Sequence, residues 1–172
     1  MWDDGVEGNY WGSYTGADSD DDGIGNMPHY ISTDNTDNYP LMGPVSIFNV
    51  SRPLPVSVVS NSIMQDFTYS ESDSTIRFIV SPSKEGQTSG FCRLTIPHTV
   101  MSPPYAIFMN STATSYRTEF ENTERSIIYL SYQHSIHEII IVPEYSSTIF
   151  LLLLAISSTL LISAKKKIDR ST

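Results

Sequence analysis

The chain has 172 residues, with 19 acids against 10 lysines and arginines and a net charge of −9. The acidity is uneven: residues 1–42 contain nine acids and neither Lys nor Arg, and residues 1–164 hold 18 acids against six basic residues. A surface so poor in cations cannot neutralise phosphates, which excludes nucleic acid as a partner and leaves divalent cations or plain solvent as the natural company of the acidic start.

Residues 1–42, WDDGVEGNYWGSYTGADSDDDGIGNMPHYISTDNTDNYPLM after Met1, show no helical apolar period and only brief alternation, so they read as loop and turn. Trp2, Tyr10, Trp11, Tyr14, Tyr30 and Tyr39 are too many large aromatics for a disordered tail and need a surface to pack on. Within this stretch Asp18, Asp20 and Asp22 occupy positions 1, 3 and 5 of a loop with Gly23 at position 6. That spacing lets carboxylates converge on one Ca2+ while the glycine makes the sharp turn; the Ile24 carbonyl falls at position 7 and Asn26 at position 9. Position 12 is His29 rather than a bidentate Glu, and no helices flank the loop, so an EF-hand is rejected. Two readings stay open: a looser Ca2+ site completed by Asp34, Asp37 or solvent, and a solvated acidic turn.

Trp2-Asp3-Asp4-Gly5, Gly8-Asn9-Tyr10-Trp11, Tyr14, Asp22-Gly23-Ile24-Gly25, Pro28, Tyr30, Asp37 and Tyr39-Pro40-Leu41 form an ordered series of blocks. It resembles the terminal segment of NosD-like right-handed parallel β-helix proteins. The resemblance covers about a quarter of the chain. It implies a solenoid of short repeats upstream of Met1, with residues 1–43 covering its last open coil. It also implies surface polysaccharide as a partner of the absent coils. Two alternatives follow: part of a polysaccharide-cleaving enzyme whose active site lies in those coils, or a NosD-like accessory in copper-site maturation. Fold analogy alone decides neither.

From Pro44 the acids thin out and β-branched residues alternate with polar ones. Strands are expected over Val56–Val59, Ile63–Tyr69, Thr75–Val80, Gly90–Ile96, Tyr105–Met109, Tyr116–Phe120, Ser126–Tyr132 and His137–Val142, after an extended Pro53-Leu54-Pro55 linker. Seven or eight short strands predict an Ig-like β-sandwich over residues 44–143. Cys92, the only cysteine, allows no internal disulfide and is expected as a small buried residue on a strand. Phe91-Cys92-Arg93-Leu94-Thr95-Ile96-Pro97 and Ile127–Tyr132 followed by His134-Ser135-Ile136-His137 resemble a module of archaeal surface proteins that accompanies β-helices and commonly precedes an anchor helix.

Tyr145 to Ala164 is a run of 20 uncharged residues, seven of them Ser or Thr, followed by Lys165-Lys166-Lys167-Ile168-Asp169-Arg170. This predicts a transmembrane helix over 144–164, partnered by the lipid bilayer through residues 145–164, and a basic cytoplasmic tail over 165–172. The expected setting is the cell membrane, single-pass, with the N-terminal part outside. Met1-Trp2-Asp3-Asp4 lacks the charged start and apolar run of a signal peptide, so a piece of a longer secreted precursor is expected, against the alternative of a tail-anchored cytoplasmic protein.

Candidate chemistry is sparse. His134 and His137, with His98, are read as bonding turn backbone rather than as ligands of zinc or copper. No Gly-x-Ser-x-Gly elbow or phosphate-binding glycine loop occurs, and no catalytic residue is assigned. Asn49-Val50-Ser51 and Asn110-Ser111-Thr112 are glycosylation sequons compatible with an exterior domain. The chain is thus expected to be mainly β and non-catalytic: a membrane-anchored spacer that displays an upstream β-helix, with Ca2+ as the expected cofactor.

Overall fold

A computed structural model describes residues 2–50 and 53–144. Among them the strands are β1 (His29–Ser32), β2 (Asn35–Asp37), β3 (Val45–Phe48), β4 (Val56–Ser60), β5 (Ile63–Ser70), β6 (Thr75–Ser81), β7 (Ser89–Pro97), β8 (Tyr105–Met109), β9 (Thr112–Thr114), β10 (Arg117–Glu121), β11 (Arg125–Gln133) and β12 (His137–Pro143). β1 and β2 form an antiparallel hairpin; the others form two antiparallel five-stranded sheets, ordered β10-β11-β7-β4-β3 and β5-β6-β12-β8-β9.

The two sheets face each other because their strands alternate. On β6 Ile76, Phe78 and Val80 are fully buried, while Arg77 between them is exposed and pairs with Glu138. Ile139 and Ile141 of β12 and Ile107 of β8 join them from the second sheet; Val56, Val58, Cys92, Leu94, Ile96, Ile128 and Leu130 come from the first. Each such side chain, taken fully out of water, contributes roughly 1.5–3 kcal/mol before ordering costs.

The first sheet is covered on its outer face as well. Val59, Phe91 and Tyr129 point away from the shared core and bury against Ile24 and Leu41 of the acidic segment, with Met42 beside them. This is why the alternation around Phe91, Leu94 and Ile96 looks irregular: β7 is buried from Gly90 to Leu94 without a break. A strand with both faces covered reads as a continuous run, not as a period of two.

The eight strands expected from alternation all occur, and two facing sheets are compatible with the sandwich. The rest of the expected architecture needs correction. No parallel β-helix is present among the described residues: residues 2–43 contain an antiparallel hairpin and one isolated parallel bridge, Tyr10 to Leu41. Instead of closing a solenoid coil, the segment folds back onto the sandwich through Ile24, Leu41 and Met42. No helix of any kind occurs among the described residues, and so none is long and apolar enough to cross a membrane. The expected transmembrane helix and membrane setting therefore find no support among the described residues; apart from Glu144, the span 144–164 and the tail 165–172 lie outside them.

Candidate metal centre

The turn that holds the acids is built by its own carboxylates. Asp18 accepts hydrogen bonds from the backbone N–H groups of Asp22 (3.0 Å) and Gly23 (2.8 Å), and Asp22 accepts one from the Ile24 N–H (2.7 Å). The Asn26 amide donates to Asp20 Oδ1 (2.9 Å) and accepts from the Ser19 N–H. Gly23 takes φ +87°, where a side chain is strained, and a Cβ there would press to 3.2 Å on Arg93 Cδ.

One carboxylate oxygen from each of Asp18, Asp20 and Asp22 lies within 4.8 Å of the other two. Oxygens bound to one Ca2+ at 2.3–2.6 Å can be at most about 5 Å apart, so the three fit a common ion. The Ile24 side chain is buried in the outer-face cluster, and its bridge to Leu41 is framed by bonds from Gly25 N to Pro40 O and from Met42 N to Gly23 O. In an extended residue N–H and C=O leave the chain on one side. The Ile24 carbonyl therefore leaves on the side of its N–H, away from Leu41. Asn26 is tied in through Asp20.

Asp37 cannot complete this set. It is fully buried and accepts from Asn9 N (2.7 Å), Trp11 Nε1 (2.7 Å) and Tyr39 N (3.0 Å), holding the two ends of the segment together. Gly8 passes so close that a Cβ would lie 1.9 Å from Asp37 Oδ1. His29, at loop position 12, packs against the Trp11 and Tyr14 rings.

The electrostatics of the cluster are only partly relieved, by Arg93 at Asp22 and by Arg117 at Asp20. Burial pushes the Asp18 carboxyl above its ordinary 3.8, and the neighbouring Asp22 and Asp20 charges add to the rise against the pull of the Gly23 and Asp22 amides. Burial likewise raises Asp22, with Asp20 adding to it, whereas the Asn26 amide lowers Asp20. Carboxylates pushed up by desolvation and like charge are the ones a cation would stabilise most.

Two arginines fasten the loop to the sandwich. Arg93 on β7 is only 3% exposed; its Nε donates to Glu7 Oε1 at 2.8 Å and its Nη1 to the Asp22 carbonyl at 2.9 Å. Arg117 on β10 donates from Nη2 to the carbonyls of Asp20 (2.8 Å) and Asp21 (2.6 Å), lies 5.6 Å from the centre of the Tyr129 ring, and pairs with Glu119. Neither clamp was foreseen. A lone arginine in a strand reads as solvent-exposed, and its partners here stand 86 and 71 residues away for Arg93. Beside the loop lies a cavity of about 410 Å3 bordered by Asp20, Asp22, Asn26, Tyr39, Arg93 and Phe120.

A second polar cluster lies at the far end of β11. Ser62 Oγ bonds to Tyr132 OH (2.7 Å) and to His134 Nε2 (3.0 Å), and Tyr132 OH reaches Cys92 Sγ at 3.5 Å. Burial pushes the Cys92 thiol up to about 11, so it stays protonated and unreactive at neutral pH. His134 Nδ1 is buried without a hydrogen-bond partner among the described residues. His137 serves a turn, donating from Nε2 to Gln133 O (2.8 Å) and accepting on Nδ1 from Asn110 (3.0 Å), whereas the His98 ring bonds the buried Ser126 hydroxyl on β11 (2.9 Å) instead of turn backbone.

Compared with known proteins, the chain matches no family model, no curated protein and no solved structure.

Proposed function

We propose that the chain is a non-catalytic structural module in which a divalent cation, with Ca2+ favoured by the all-oxygen donor set, steadies an acidic loop clamped to a β-sandwich. The observation that carries this reading is the convergence of the Asp18, Asp20 and Asp22 oxygens within 4.8 Å, on a loop whose backbone carbonyls are gripped by Arg93 and Arg117. The sandwich then acts as a spacer and the aromatic-rich segment as the surface it presents.

The test is a melting curve of the full chain in EDTA and in Ca2+. Saturation at ~100 times the dissociation constant contributes about 2.7 kcal/mol, or roughly 5–10 °C for a chain of this size. Asp20→Ala with Asp22→Ala should abolish the rise. Identical curves in EDTA and excess Ca2+ overturn the cation reading.

A further inference from the structure

Four strands stand at the edges of the two sheets: β10 and β3 in the first, β5 and β9 in the second. An edge strand offers unpaired backbone groups to any passing strand, and proteins commonly guard it with charge, a bulge or shortness. β10 carries Arg117, Glu119 and Glu121. β5 breaks register between Gln65 and Thr68, with Asp66 at φ +52°. β9 is three residues long. β3, Val45-Ser46-Ile47-Phe48, has none of these: it pairs with β4 in unbroken register, and no charged residue occurs from 38 to 51.

The facing of β3 is also inverted. A sandwich strand normally turns apolar residues inward and polar residues out. Here Phe48 turns inward and stacks on Phe67 at 3.8 Å, accompanied by Ser46, while Val45 (47% exposed) and Ile47 (64% exposed) turn out. Val45 lies opposite Val59, which the acidic segment covers to 6% exposure. The apolar outer face of the first sheet therefore runs past its cover and ends bare at an unguarded edge.

We propose that β3 is a self-association edge, at which a second copy of this chain pairs antiparallel through Val45–Phe48 and joins two five-stranded sheets into one of ten. The strand is complementary to itself. With Ser46 opposite Ser46 of the second copy, each Val45 faces an Ile47, and opposed residues of an antiparallel pair lie on the same face about 4.5–5.5 Å apart. Both aliphatic pairs then form on the outer face, beside Val59. Charge also selects this strand. Each copy carries −9, so two copies approach with less repulsion along an uncharged edge than along β10 or β5; β9 shares that neutrality but is only three residues long. The inference does not depend on cation binding.

Velocity sedimentation of the full chain from about 1 to about 100 μM tests it, a range that reveals micromolar self-association. The wild type should reach twice its 19.2 kDa mass, and Ile47→Lys should return it to one chain while its near-UV circular dichroism stays unchanged. Met27→Lys, at a site 63% exposed on the acidic segment, should stay doubled. Ser46→Cys lies on the two-fold axis and should cross-link two copies on oxidation, native Cys92 being buried. A wild type that stays at one chain overturns the proposal. So does a doubled species that survives Ile47→Lys or lacks the Ser46→Cys cross-link, because another surface then holds it.

Discussion

Glu7 and Arg93 allow a demanding test of how the acidic segment is held. The Arg93 guanidinium is 3% exposed and has two described partners, the Glu7 carboxylate and the Asp22 carbonyl. Glu7→Ala leaves a buried cation with one neutral acceptor. Breaking a buried ion pair from one side costs about 3–5 kcal/mol; because the Glu7 side chain is 29% exposed and water can reach the gap, we expect about 2–3 kcal/mol. At roughly 2–4 °C per kcal/mol for a chain of this length, the melting temperature falls by about 4–12 °C. Arg93→Met removes the charge but keeps an unbranched side chain in the slot, leaving Glu7 to rehydrate and one carbonyl unpaired, at a cost of about 1–2 kcal/mol. The double variant should therefore be more stable than Glu7→Ala alone, since the orphaned charge has gone. Urea denaturation of the three variants measures this directly. A Glu7→Ala curve superimposable on wild type, or a double variant less stable than Glu7→Ala, refutes the argument that Arg93 is a desolvated cation dependent on Glu7.

Two further outcomes follow from the loop. Gly23→Ala forces a side chain into φ +87° against Arg93 and Phe91, so it should cost at least about 1–2 kcal/mol, whereas Gly12→Ala, with nothing within 4 Å, should change stability by less than ~0.5 kcal/mol. Equal effects of the two in chemical denaturation would refute the strained-turn assignment. The pH dependence has a definite sign. Asp18 and Asp22 titrate above 3.8, so protons compete with the cation sooner than at ordinary carboxylates, and the Ca2+-induced rise in melting temperature should shrink as pH falls while still above 3.8. Without Ca2+ the same two groups take up protons more readily folded than unfolded, so the destabilisation they cause at neutral pH is relieved as pH falls through their folded values and is gone below 3.8. A Ca2+ effect that is constant down to pH 4 contradicts this.

How much of this was legible depends on what each element does with its side chains. Seven of the eight strands anticipated in the sandwich place apolar side chains in or against the shared core; the eighth, β10, has only Tyr116, just before it, against that core. β9, Thr112–Thr114, has only the small Ala113 as an apolar side chain to signal with, and the β1–β2 hairpin buries only Asp37. β3 escaped notice because its aliphatic pair faces out and its serine faces in, the reverse of the rule. The Asp18-x-Asp20-x-Asp22-Gly23 spacing is local and was readable; the arginines that fix that loop are not, because pairing across 70 to 100 residues leaves no mark on either neighbourhood. The aromatics of the acidic segment call for a surface to pack on. Several find partners within the segment, with the Trp11 and His29 rings 5.1 Å apart, but Tyr30 remains 73% exposed.

The clamps also set a timetable for synthesis. The acidic loop is made first, yet the guanidinium that holds the Asp20 carbonyl arrives 97 residues later. At about 5–20 residues per second, the ribosome leaves that loop without its Arg117 anchor for roughly 5–20 seconds. β7 is completed in the meantime, but its outer face, from Phe91 to Arg93, then waits for a segment already extruded to fold back over it. The abundance of aspartate in that segment suits the delay, since a strongly charged, well-hydrated stretch resists premature collapse. A strand made late, β10, thus secures a loop made near the start of the chain.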